Sequence, residues 1–146
     1  MSKMSRFLFY FYIATGILAL IFTWVHVPAY LGNGILDANI NFWKDALIHG
    51  TPSGNFLAVD ILFYALIGSV FMVLECRRLG IKFAWLYVFA GILIAISFAF
   101  PLFLAMRERH IAQTPVPVPP APLKTYDILG LAVYSAAVLA AAIIAL

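Results

Sequence analysis

The sequence predicts an all-α integral membrane bundle of four transmembrane helices, a three-helix core plus a C-terminal helix on a Pro-rich arm. Three observations predict it. The 146 residues are 65% hydrophobic and 10% charged, whereas a soluble domain is roughly a quarter charged. Their mean hydropathy is +1.04. The apolar residues also fall into runs of about 20, the length of helix that crosses the hydrocarbon core, and charge, Pro or Gly bounds each run.

The first span is read at Phe7 to Val27. Lys3 and Arg6 precede it and Val27-Pro28-Ala29 loosely imitates a cleavage site, yet the uncharged run exceeds a signal peptide's apolar stretch of about 7 to 15 residues. A retained helix is expected. Aromatic rings crowd its two ends, Phe7 to Tyr12 at one and Trp24 with Tyr30 at the other, as rings do at headgroup level. The following polar stretch contains Ile40, Phe42, Trp43, Leu47 and Ile48 at helical spacing among Asn41, Lys44, Asp45 and His49. That pattern predicts an amphipathic interfacial helix near residues 38–49.

The second span should run from about Phe56 to Cys76, with Asp60 near its start and Glu75 near its end. Arg77, Arg78, Gly80 and Lys82 then make a basic turn. The third span, from about Phe83 to Met106, holds Pro101, which should kink it. Residues 1–110 thus form a three-span core, residues 111–124 a Pro-rich linker of extended polyproline character, and residues 125–146 a fourth helix. Thr125 is its expected N-cap and Asp127 lies in its first turn, where negative charge suits the helix dipole. The alternative is three spans plus a peripheral helix.

With four straight spans, Lys3, Arg6, Arg77, Arg78 and Lys82 share one side and Lys44, Arg107, Arg109 and Lys124 the other. The dense Arg77-Arg78-Lys82 turn then places both termini in the cytoplasm. The net charge of +3 does not point to nucleic acid, because the basic residues sit beside apolar runs rather than on one exposed face. Cys76 is a single cysteine, so no internal disulfide forms, and no Cys/His spacing suggests a structural metal.

Asp60 is the candidate functional residue, because a carboxylate one turn inside a span costs a few kcal/mol unless paired or neutralised. An Asp60–Arg107 pair, with Lys44 on the same side, is the preferred partner set. The plainer reading is an interfacial Asp60 on a span that starts later. Glu75 lies 15 residues on, about 22 Å along a helix, so the two acids cannot form one dyad. With Arg78 at i+3, and with Arg77, Arg78 and Lys82 around it, Glu75 reads as a cytoplasmic anchor. His26, His49 and His110 are placed on the outer side without ligand spacing, and His26, at the end of the first span, has no matching partner for axial haem ligation. Gly91, Ala95 and Ala99 on the third span, and Ala132, Ala136 and Ala140 on the fourth, make small-residue ridges of the kind that let membrane helices pack closely.

Several segments together carry a resemblance: Asn41-Phe42-Trp43-Lys44-Asp45, Thr51-Pro52-Ser53, Asp60, Glu75-Cys76-Arg77-Arg78-Leu79-Gly80, and Phe100 to Leu104 through Arg107-Glu108-Arg109. They resemble a family of small bacterial membrane proteins of unknown function (DUF2834-like). The resemblance covers roughly the first three spans, leaves the Pro-rich arm and fourth helix outside, and implies an inner-membrane protein. A weaker similarity links Asp60, Arg77, Arg78 and Pro101 to membrane proteins of the abscisic-acid-deficient-four type, and implies carotenoid chemistry.

The functional expectation is a non-catalytic accessory subunit packing beside other integral membrane subunits of a larger complex, respiratory or photosynthetic, since no convergent catalytic set is present. No cofactor is expected. The alternative is an isoprenoid- or carotenoid-binding or -modifying protein that uses Asp60 with Arg107 as a polar handle, with bound lipid or carotenoid as its ligand.

Overall fold

The computed structural model describes residues 3–114 and 124–144, all of them helix or short connection. The expected Pro-rich linker falls largely outside the described residues. Among the described residues, three segments are long and apolar enough to cross a bilayer: Ser5–Trp24, Pro52–Leu79 and Ala84–Gln113.

Helix α1, Lys3–Trp24, begins a turn earlier than expected, and a 3-10 turn over Val27–Asn33 with Pro28 at its start follows it. Helix α2, Ile35–Leu47, is the amphipathic element, with Asp37 in its first turn and Lys44 in its last. Its Phe42 packs edge-on to Tyr30 of the 3-10 turn, with ring centres 5.8 Å apart. Helix α3, Pro52–Leu79, is the long central helix. Thr51 caps it by accepting a hydrogen bond from the Gly54 amide at 3.2 Å, Pro52 suits its first position, and Gly80 ends it in the left-handed conformation at φ 70°.

The third apolar segment does not run straight. Helix α4, Ala84–Ala90, passes into a π-helical turn over Gly91–Ala95, and Ala95 is extended at φ −175°, ψ 135° before helix α5, Ile96–Gln113, begins. At Ala95 the chain folds back on itself. Tyr87 and Phe103 lie 16 positions apart, about 24 Å on a straight helix, yet their rings stack edge-on with centres 5.5 Å apart. A Cβ placed on Gly91 would sit 3.8 Å from that of Ala99.

The expected ridge of Gly91, Ala95 and Ala99 on one straight helix is therefore corrected. Gly91 and Ala99 face each other across the fold, and Ala95 is the residue that breaks it. Pro101, the expected kink, lies inside α5 and packs on α1: a Cβ on Gly16 would meet the Phe98 carbonyl and the Pro101 side chain at 3.4 Å each.

Helix α5 consequently runs parallel to α3 and antiparallel to α1. Gly68 faces Phe100, Phe71 meets Phe103, and Glu75 meets Arg107, a constant offset of 32 residues. The tip of the hairpin lies level with Tyr64–Gly68, the middle of α3. Backbone groups freed in such a place need partners, and the Trp24 indole donates to the Ile94 carbonyl at 3.0 Å. The core around Met72, Val73, Cys76, Val88 and Phe103 sits where α3, α4 and α5 meet.

Helix α6, Thr125–Ile144, packs antiparallel to α3, with Asp127 against Arg77 and Leu131 in the core. Lys124, not Thr125, is its flanking residue; Asp127 reaches back to accept the Lys124 amide at 3.1 Å, the acidic half of a capping box. Lys3 and Ile144 therefore lie at opposite ends of the bundle. The expectation that both termini share a side came from treating Ala84–Gln113 as one crossing, whereas that segment reverses at Ala95.

Candidate functional site

The fold-back gathers charge. Lys3, Arg6, Arg77, Arg78, Lys82, Arg107, Arg109 and Lys124 all lie at the end of the bundle marked by the α3–α4 turn, with Glu75, Glu108 and Asp127 among them. Lys44, Asp37, Asp45 and Asp60 lie toward the opposite end. The basic end carries eight of the nine Lys and Arg residues of the chain.

Two ion-paired clamps occupy that end. In the first, the Glu75 carboxylate, 7% exposed, accepts from Arg107 Nε at 2.7 Å and from Arg78, whose Nε lies 2.6 Å from Oε2 and whose Nη2 bonds Oε1. Arg107 Nη1 also donates to Glu108 at 3.0 Å, and Glu108 accepts from the Ser5 hydroxyl at 3.1 Å. One chain of charge-assisted bonds thus ties α1, α5 and α3 together.

In the second clamp, Asp127 of α6 is fully buried. Arg77 grips it in bidentate fashion through Nε and Nη2, both at 2.6 Å, the planar fork that favours Arg over Lys at such a site. The Trp85 indole of α4 donates to the same carboxylate at 3.2 Å. The Arg77 guanidinium also lies 4.9 Å from the centre of the Tyr126 ring, within cation–π range. Gly130 is packed so tightly on Trp85 that a Cβ there would approach the ring to 2.4 Å. Further along the α3–α6 contact, the buried Ser69 hydroxyl faces Tyr134 without completing a well-formed hydrogen bond.

Both carboxylates would be costly to bury alone, and both are saturated by fixed donors. The two clamps hold helices in register, and every oxygen of Glu75 and Asp127 accepts at least one hydrogen bond.

Several expectations are revised here. Asp60 is exposed on α3. Arg107 sits beside Glu75, about 22 Å along the helix from Asp60, so the Asp60–Arg107 pair does not form and the polar handle of the isoprenoid alternative is lost. Lys44 lies on α2, at the far end from Arg107 as well, and lines a shallow polar depression with Tyr30, Asn41, Asp45 and His49. His49 and Asp45 are 3.2 Å apart there, one turn apart on the chain, and burial together with Asp45 holds the Tyr30 phenol above its ordinary range. His110, expected with His26 and His49 on the outer side, is in the last turn of α5, at the basic end.

The Glu75–Arg78 pair at i+3 forms as read from the sequence, and Arg77 and Lys82 are its neighbours in the basic turn. Arg107 and Asp127 as the cross-helix partners were missed. Among the described residues, no three His, Cys, Asp or Glu side chains come together as a metal site. On α6, Ala132, Ala136 and Ala140 are exposed, on the face turned away from the bundle.

Compared with known proteins, residues 11–109 match the family model described as "Protein of unknown function DUF2834", a stretch from the third turn of α1 to the penultimate turn of α5 that leaves α6 outside. No curated protein and no solved structure matches the chain.

Proposed function

The chain belongs to the DUF2834 family of unknown function, and from that membership and the charge on its two ends we propose a multi-pass protein of the bacterial inner membrane that serves as a non-catalytic accessory subunit of a larger membrane assembly. In this reading α1, α3 and α6 cross the bilayer, while α4 and α5 form a hairpin that enters from the basic end and returns to it. The sorting of cations supports the orientation. Lys and Arg flanking membrane helices stay on the cytoplasmic side, so the end with eight of the nine faces the cytoplasm and Ile144 faces outward.

The observation that carries the accessory role is the exposed ridge of Ala132, Ala136 and Ala140 on α6. Lipid gains little from a row of methyl groups, but another helix can approach such a row closely and make many contacts. Polar groups at the basic end are used to hold α6 on α3, which presents that ridge at a fixed angle. A photocrosslinker at Ala136, in native membranes, should capture a second membrane protein reproducibly, and the same group at the buried Leu131 should not. A chain that crosslinks at neither position and purifies as a clean monomer in mild detergent would remove this reading.

A further inference from the structure

The seam between α1 and α5 carries a groove of about 200 Å3, lined by Tyr12, Ile13, Gly16, Ile17, Phe98 and Leu102, with wholly apolar walls. It opens where Gly16 lets the two helices touch. Arg6 precedes Ile13 by seven residues and Ile17 by eleven, two and three helical turns, so it lies on the stripe of α1 that forms one wall. Arg109 follows Leu102 by seven residues and Phe98 by eleven, and lies on the corresponding stripe of α5. The helices are antiparallel, with Ser5 bonded to Glu108 and Gly16 against Phe98. Arg6 and Arg109 therefore stand level with each other, about 10 Å from the groove.

Both arginines are exposed. Arg77, Arg78 and Arg107 are engaged by Asp127, Glu75 and Glu108, whereas no ion pair among the described residues engages Arg6 or Arg109. Glu108, the carboxylate of this seam, is already taken by Arg107 and Ser5, so it does not neutralise them. Lys3 adds a further cation one turn before Arg6.

We propose that the α1–α5 seam binds one anionic phospholipid, its phosphate held between Arg6 and Arg109 and one acyl chain laid in the groove over Gly16. Charge complementarity selects the headgroup, and the apolar walls at the depth of an acyl chain select a lipid over a free anion. The proposal rests on the membrane placement alone and is independent of the accessory role.

Native mass spectrometry of the full chain in nonionic detergent, titrated with phosphatidylglycerol, phosphatidylcholine or inorganic phosphate, tests it. One phosphatidylglycerol per chain should be retained, about tenfold more tightly than phosphatidylcholine, and millimolar phosphate should not displace it. Arg6→Gln and Arg109→Gln should each weaken retention several-fold, and Ile17→Trp, which fills the groove, should do the same. Lys82→Gln, at the same end but off the seam, should leave it unchanged.

Equal retention of phosphatidylcholine would overturn the proposal, as would displacement by phosphate, which would mean an anion site without a chain. A loss with Lys82→Gln as large as that with Arg6→Gln would overturn it too, by revealing only a diffuse basic surface. Should an arginine variant lose its helical circular dichroism, the comparison of the three ligands on the unaltered chain decides.

Discussion

Glu75 of α3 and Arg107 of α5 meet at 2.7 Å, on helices that run in the same direction. Two neighbouring helices joined by a short turn would ordinarily be antiparallel, and Arg107 would then lie near Asn55. Their contact exists only because the chain reverses at Ala95, and it fixes which end of the molecule Arg107, Arg109 and His110 occupy.

That reversal predicts a labelling pattern. Single cysteines at Lys82 and Gln113, both exposed, should react with a membrane-impermeant reagent from the same side of sealed vesicles, and one at Asn41 only from the other. The buried Cys76 should stay silent throughout. If Gln113→Cys labels together with Asn41→Cys, α4 and α5 form a single crossing and the hairpin is wrong.

Removing the charge of the first clamp should be expensive. Glu75→Gln leaves Arg107 and Arg78 facing a neutral amide in a poorly solvated place, a loss of about 3 kcal/mol, the low end for a broken buried pair because both guanidinium groups are part-exposed. Unfolding titrations in mixed micelles would read it. The double variant with Arg107→Gln should lose clearly less than the two single losses added, since the partners share one interaction.

The second clamp governs α6. Asp127→Asn should cost a similar amount, about 3 kcal/mol, and free α6 from α3 while α1, α3 and α5 stay associated. An engineered disulfide or crosslink between α3 and α6 near Ser69 and Tyr134 would form in the parent chain and fade in the variant. Equal crosslinking in both would show that apolar packing alone seats α6.

Gly130 should not tolerate a larger residue. The reason is steric: Trp85 is anchored through its indole to Asp127, so the ring cannot swing clear of a new side chain. Gly130→Leu should destabilise the α4–α6 contact by about 1 to 3 kcal/mol, as overpacking does, and raise the exposure of Trp85 in fluorescence quenching by a water-soluble quencher.

The helices themselves were legible from sequence, because runs of about 20 apolar residues bounded by charge have few other uses. The amphipathic helix α2 was legible from its periodicity, and Glu75–Arg78 from i+3 spacing. What could not be read was direction. Nothing at Ala95 announces a break: the residue is neither Pro nor Asn, and Gly91 lies a full turn away, inside a run long enough to span. A straight third span divides the nine cations five against four, an imbalance too small for a strong topology signal. Asp127 was read for its effect on its own helix, and only the fold could show that Arg77, 50 residues earlier, was its counterion. Asp60 drew attention because depth was inferred from run length, whereas α3 is long enough for its first turns to lie outside the hydrocarbon.

The indole of Trp24 takes up the carbonyl of Ile94, and this has a bearing on biogenesis. A nascent chain releases its residues to the insertion machinery in order, so the donor is laid down 70 residues before the acceptor that needs it. The hairpin can therefore settle against a first helix already in place. A chain whose leading helix arrived late, or was exchanged for a foreign anchor with no indole at that height, would have to expose a bare peptide oxygen to lipid while it waited.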